Sequence, residues 1–231
     1  MNSSAPASAT FVLVHGAWRG GWIWRRVADL LTVRGHRVFA PTLTGLGERS
    51  HLLSPVVNLT THIMDVVNLA LWEDLDGFVL CGHSNGGAVV TGVAECIGKR
   101  ISSIVYLDAF IPRNGQAMAD IAPRKPAPGD TTPAPPAAGF RVNARDQAWV
   151  ESKTTPQPNG TLTEKLAVTG VYQRIPKKAY VRATVYDAPH FRAYYEQCKA
   201  MPGWETYEIA TGHDAMLDDP QATADLLERS I

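Results

Sequence analysis

Gly82-His83-Ser84-Asn85-Gly86-Gly87 stands directly after the apolar run Phe78–Cys81 and directly before a helical stretch from Ala88 to Ile97. A G-x-S-x-G pattern between a strand and a helix makes a sharp turn that lifts the serine hydroxyl above the sheet. The glycines allow the tight, crowded backbone, and Ser84 becomes a candidate nucleophile. A serine hydroxyl is weak by itself and needs a base within hydrogen-bond reach, held in turn by a carboxylate. His213 is the candidate base. It follows the apolar-alternating run ETYEI on the Thr211-Gly212-His213 loop, ahead of Pro220 and a last helix. The bland alternatives are a helix-capping serine and a solvated loop histidine.

Two carboxylates compete for the third position. Asp108 ends the run IVYL, and Asp187 follows YVRATVY; both fall between Ser84 and His213 in chain order. Asp187 has the more usual placement for an acid, but its loop to the next helix is short. Asp108 is preferred, with Asp187 as the alternative acid. Asp214 is next to His213 and is not expected to fold back onto its ring. Two backbone N–H groups should meet the charge that develops on a substrate carbonyl oxygen. Asn85, after the nucleophile, supplies one, and Ala17 in the His15-Gly16-Ala17-Trp18 loop supplies the other, with His15 bracing that loop. His83 is expected to point away from the attack direction, and His36, His51, His62 and His190 to lie on the surface or in loops. Trp18, Trp22 and Trp24 are expected in the core or a pocket wall. The glycine-rich stretch Pro41–Gly47 lacks the Lys-Ser/Thr ending of a phosphate loop, which removes nucleotide binding.

Short apolar runs at Phe11–Val14, Arg37–Ala40, Phe78–Cys81, Ile104–Leu107, Ala179–Val185 and Glu205–Ile209 alternate with helical stretches starting near Trp22, Thr60, Ala88 and Asp219. Unbroken apolar strands alternating with amphipathic helices predict an α/β fold, a mostly parallel sheet with helices on both faces. The rhythm breaks over residues 112–178, which are rich in proline and have weak helical patches at Gln147–Val150 and Thr163–Tyr172. A strandless stretch of this length is expected to be a small helical cap inserted into a core of 10–111 and 179–231. Residues 1–9 are expected to be a disordered lead-in. The proline-rich span Pro123–Pro136 suggests, by composition, that the cap is a mobile gate.

The 231 residues carry 22 Lys+Arg and 22 Asp+Glu, with 45% hydrophobic residues. The zero net charge gives no basic face for nucleic acid. No apolar run reaches the roughly 18–20 residues of a membrane span, and the N-terminus does not read as a secretion signal. Cys81, Cys96 and Cys198 are odd in number and far apart, which suits reduced thiols in a cytoplasm. No metal site and no cofactor are expected. The expected partner is a small-molecule ester, and a homodimer is left open.

The segments FVLVHGAWRGGWIW (Phe11–Trp24), Pro41–Gly47, Gly82–Gly87 and GHDAML (Gly212–Leu217) resemble the α/β-hydrolase superfamily. More narrowly, they resemble its small-capped branch of plant methyl esterases and hydroxynitrile lyases, with related bacterial esterases. The resemblance implies the α/β-hydrolase fold, with Ser84 as nucleophile, His213 as base, and Ala17 and Asn85 as oxyanion donors. The chain departs from that branch at Arg19, where His is frequent, and at Asn85, where a bulky apolar residue is frequent. Gly16 and Ala215-Met216 replace the Thr and Lys of the lyases, which favours the esterase side. The function expected is a serine hydrolase of a small to medium apolar carboxylic ester. The alternatives are a hydroxynitrile lyase-type carbon–carbon lyase and a hydrolase-fold receptor with little turnover.

Overall fold

A computed structural model describes residues 8–231. The first half alternates strand and helix: β1 (Thr10–Val14), α1 (Arg25–Val33) entered through a 3-10 turn at Gly21–Trp24, β2 (Arg37–Phe39), α2 (Leu59–Trp72), β3 (Phe78–His83), α3 (Gly86–Ile97) and β4 (Ile101–Leu107). The segment after β4 holds α4 (Met118–Ile121), β5 (Thr131–Thr132), α5 (Ala144–Lys153), β6 (Gln157–Pro158) and α6 (Gly160–Thr163). The alternation then resumes with β7 (Lys177–Ala183), α7 (Pro189–Lys199), β8 (Trp204–Ile209), α8 (Ala215–Asp218) and α9 (Pro220–Glu228).

The six long strands form one sheet in the order β2-β1-β3-β4-β7-β8. Every neighbouring pair in it is parallel. The register sets Val12 beside Leu80 and Leu80 beside Ile104. Side chains alternate between faces along a strand, and both faces here are covered. Val12, Val14, Leu80 and Ile104 pack with Val66, Val67, Val89 and Val93 of α2 and α3. Phe11, Leu13, Val79, Cys81 and Val105 pack on the opposite face with Val27 and Leu31 of α1 and Leu227 of α9. Burial on both sides is why the strands read as unbroken apolar runs. Among the described residues, no helix is long and apolar enough to cross a membrane.

Three expectations are corrected. The segment after β4 is not strandless, because β5 and β6 pair antiparallel, Thr131 with Pro158 and Thr132 with Gln157. Thr163–Tyr172 is not helical: α6 stops at Thr163, and only a 3-10 turn at Val171–Arg174 follows. Partners outside the local chain draw this stretch out. Glu164 accepts the Thr60 N–H and hydroxyl at 2.7 and 2.8 Å, Leu166 N–H donates to the Gln116 carbonyl at 3.0 Å, and Val168 N–H donates to Asn114 at 3.0 Å. His36 and His62 are buried, not superficial. His62 donates from Nε2 to the Thr44 carbonyl at 2.9 Å, and His36 accepts the Ala9 N–H at 3.2 Å. Of the expected lead-in, residues 1–7 lie outside the described residues, while the Ser8 hydroxyl donates to the Gly35 carbonyl at 2.8 Å.

Candidate active site

Ser84 follows the last residue of β3 with φ 54°, in the left-handed region that non-glycine residues rarely adopt. The turn is held from β4: Ser84 N–H donates to the Leu107 carbonyl at 3.2 Å, and its own carbonyl accepts Phe110 N–H at 3.1 Å. Gly87 makes that approach achievable, since a Cβ there would sit 2.1 Å from the Phe110 carbonyl oxygen. Gly86 plays the same part toward the loop after β1, where a Cβ would fall 2.7 Å from the His15 carbonyl oxygen. The glycines of the motif thus wedge the elbow between two loops and aim the serine upward.

His213 lies on the loop after β8, and its Nε2 accepts the Ser84 hydroxyl at 2.8 Å while Nδ1–H donates to Asp108 Oδ2 at 2.6 Å. Its backbone N–H donates to the Phe140 carbonyl at 2.9 Å, and its ring is stacked on Phe191 at 5.1 Å and on Phe140 at 5.4 Å. Asp108 follows β4 with φ 43° and is 1% exposed. Its second oxygen accepts Ala183 N–H at 3.1 Å. Burial pushes this carboxyl above its usual range, opposed by the hydrogen bond from His213.

Asp187 is elsewhere. Its carboxylate is half-exposed and ion-paired with Arg182 at 2.8 Å and with Arg192. The structure therefore brings Ser84, His213 and Asp108 into one hydrogen-bonded chain and leaves Asp187 outside it. The turn after β7 sends Tyr186 inward instead, 4.8 Å from the His213 ring. Asp214, next to His213, is fully buried and pairs with Arg19 at 3.0 Å. Burial alone would raise its carboxyl, but Arg19, His83 and His213 together hold it below the usual range.

Ala17 and Asn85 both line the cavity above Ser84, and no acceptor among the described residues takes either backbone N–H. His15 braces the Ala17 loop: its Nδ1–H donates to the Gly16 carbonyl at 2.8 Å, and its Nε2 accepts Leu43 N–H at 3.0 Å. Burial lowers the His15 pKa to about 3 and keeps the ring neutral, and the Leu43 N–H, which needs an acceptor at Nε2, sets the tautomer. His83 is turned away, donating to the His213 carbonyl at 3.0 Å, with its pKa lowered to about 3 by burial and then by His213. Trp18 lines the cavity, Trp24 is in the core, and Trp22 stands edge-on to Trp149 at 5.0 Å. Within Pro41–Gly47, Thr42 accepts Gly21 N–H at 2.7 Å and Thr44 is held by Asp65 at 2.7 and 2.8 Å, so the stretch braces its neighbours.

The cavity has a volume of about 450 Å³. Met118, Leu162, Phe110 and Phe191 give it apolar walls, and Arg124 and Lys125 stand at its edge. His190, expected in a surface loop, is a wall residue: it lies flat on Phe110 at 5.1 Å and 2° and is neutral, its pKa lowered to about 4 by burial. Phe140 and Tyr186 are further wall residues that sequence reasoning missed. Among the described residues, no three His, Cys, Asp or Glu side chains gather as a metal-ligand group.

A model of the alpha/beta hydrolase family matches residues 11–226. The chain belongs to the α/β-hydrolase family. Among its relatives, this α/β-hydrolase is 38% identical over 238 residues to the carbendazim hydrolyzing esterase of Nocardioides sp. (strain SG-4G), covering 95% of this chain and 98% of that one. A shorter match, 32% identical over 123 residues, joins 52% of this chain to 31% of the putative chloroplastic methylesterase 11 of Arabidopsis thaliana. Among solved structures, an extracellular α/β-hydrolase from a Paenibacillus species superimposes with a TM-score of 0.82 at 26% identity, covering 96% of this α/β-hydrolase and 98% of that chain.

Proposed function

We propose that this carboxylesterase-type hydrolase cleaves small to medium apolar carboxylic esters through an acyl-enzyme on Ser84. The observation that carries the reading is the unbroken chain from Ser84 Oγ through His213 to Asp108, at 2.8 and 2.6 Å, on the wall of a cavity of about 450 Å³. His213 Nε2 takes the Ser84 proton as Oγ attacks the ester carbonyl carbon. The carbonyl electron pair moves to oxygen, where the Ala17 and Asn85 N–H groups meet it. Asp108 holds the imidazole in the Nδ1–H tautomer and stabilises its protonated form. Collapse of the tetrahedral species expels the alcohol, which His213 protonates. Water then repeats the cycle on the acyl-serine and frees the acid.

Residues 112–178 are read as the cap that supplies much of the cavity wall. Carbendazim, the compound the Nocardioides relative is named for hydrolysing, is a direct test substrate beside simple esters. The free thiols of Cys81, Cys96 and Cys198 support a reducing, cytoplasmic setting.

The test is p-nitrophenyl acetate and butyrate hydrolysis by the wild type and Ser84→Ala. Loss on the order of 10⁴–10⁶ in kcat is expected. A Ser84→Ala protein that still turns esters over rapidly overturns the reading. Mass spectrometry of a quenched reaction should show the acyl group on Ser84, which neither a lyase nor a non-hydrolysing receptor would form.

A further inference from the structure

The loop that carries Ala17 is held from two sides. On the core side, His15 fixes the Gly16 carbonyl, which belongs to the same peptide group as the Ala17 N–H. The next peptide group is held from the segment after β4. Trp18 N–H donates to Gln157 Oε1 at 2.9 Å, across 139 residues of chain. The Trp18 indole N–H donates to the Thr132 carbonyl at 2.9 Å, and the Trp18 carbonyl accepts Thr155 N–H at 3.2 Å. Thr132 and Gln157 face each other across the β5–β6 pair.

Trp18 needs such support because its φ is 63°. A large aromatic residue in the left-handed region is strained, and the strain relaxes unless neighbours over-determine the conformation. Gln157 is fully buried, and its amide is oriented in turn: Nε2 donates to Thr161 Oγ1 at 2.7 Å, and that hydroxyl donates to the Pro158 carbonyl at 2.7 Å. A buried amide with both its oxygen and its nitrogen held, accepting a single distant backbone N–H, is a rigid strut.

We infer that Gln157 is a positioning residue for the esterase reaction, fixing through Trp18 the direction in which the Ala17 N–H points at the developing oxyanion. The inference rests on the reading of Ala17 as an oxyanion donor. It also makes the inserted segment part of the catalytic frame, because β5 and β6 carry the residues that hold Trp18.

The test compares wild type with Gln157→Met, which fills the same space without an acceptor, and Gln157→Glu, which keeps an acceptor oxygen for Trp18. Thr161→Val is a second route that frees the Gln157 amide without altering it. With p-nitrophenyl butyrate, Gln157→Met is expected to lose about 10²-fold in kcat with KM nearly unchanged, the signature of a misplaced oxyanion donor. Thr161→Val should lose about 10-fold in the same parameter, and Gln157→Glu should regain most of the Gln157→Met loss. A trifluoromethyl ketone supplies the second readout. Ser84 Oγ adds to its carbonyl carbon, the electron pair goes to oxygen, and the serine proton goes to His213. Its Ki should rise in step with the loss in kcat, while the Kd of the matching methyl ketone stays level. Gln157→Met and Thr161→Val with kcat and Ki within twofold of wild type would overturn the inference. So would losses that fall equally on KM and on the methyl ketone, because a merely structural residue behaves that way. An active Ser84→Ala protein overturns the function itself, so the two failures are distinguishable.

Discussion

Asp214 turns its carboxylate away from the neighbouring imidazole of His213 and onto Arg19, 3.0 Å away. Both side chains are closed off from solvent, and the Arg19 guanidinium lies over the Phe140 ring at 5.3 Å. Arg19 follows Trp18, and Asp214 follows His213. The pair therefore ties the loop bearing one candidate oxyanion donor to the loop bearing the candidate base.

Breaking this pair from one side should be costly. Arg19→Met leaves Asp214 buried without its cation, and a loss of about 3–5 kcal/mol is expected in urea unfolding. The double variant Arg19→Met with Asp214→Leu should recover most of it. Because the folded Asp214 carboxyl is held low, its contribution is present above the ordinary carboxylate range and is lost as pH falls through its folded value. A single variant as stable as the double one would show that the pair does not hold the two loops.

The two candidate acids should separate cleanly in kinetics. Asp108→Asn removes the partner that selects the His213 tautomer, and kcat should fall by about 10⁴. Asp187→Asn should stay within a few-fold of wild type, since Asp187 is committed to Arg182 and Arg192 at the surface. Steady-state hydrolysis of p-nitrophenyl butyrate reads both, and a reversal of the two effects would reassign the acid.

Acid should destabilise the fold through histidines that stay neutral inside it. His15 and His83 have folded pKa values of about 3, while an unfolded histidine titrates near ~6.5. Both folded values lie below the unfolded one, so protons favour the unfolded chain. The effect is absent well above about 6.5 and grows as pH falls from there toward about 3. At pH ~5 each histidine should remove about 2 kcal/mol. Urea unfolding at neutral and mildly acidic pH measures the fall. It should be shallower in His83→Gln, which keeps a donor for the His213 carbonyl. Equal stabilities at the two pH values would count against neutral burial.

Gly87 should not accept even one methyl group. Its Cβ would meet the Phe110 carbonyl oxygen at 2.1 Å, whereas a Cβ on Gly139, which also lines the cavity, meets nothing within 4 Å. Gly87→Ala should cost about 1–3 kcal/mol or more and lose activity with it. Gly139→Ala should stay within about 0.5 kcal/mol. Thermal melting and turnover of the two variants check the contrast.

The strands and the elbow were legible because their signals are local. Runs such as FVLV and FVLC owe their character to burial on both faces, and Gly82–Gly87 owe theirs to a turn a few residues long. Sequence favoured Asp108 but left Asp187 open, because each follows an apolar run and each falls between Ser84 and His213 in chain order. What separates them is sheet order and loop path: β4 lies inside β7 and β8, while the turn after β7 is pulled toward Thr211 by the Val185 N–H at 3.0 Å. His36 and His62 read as surface residues because polar partners far along the chain, Glu228 and the Thr44 carbonyl, are what make their burial tolerable. Gln157 left no trace at all, since its meaning lies in a residue 139 positions away.

His213 arrives 129 residues after Ser84, on the loop beyond the sheet's edge strand β8. Under the proposed roles, a chain emerging from the ribosome carries an inert hydroxyl until β8 has joined β7. In refolding, esterase activity would return only once the loop after β8 has docked beside Ser84, so turnover reports that one contact separately from sheet and helix signals.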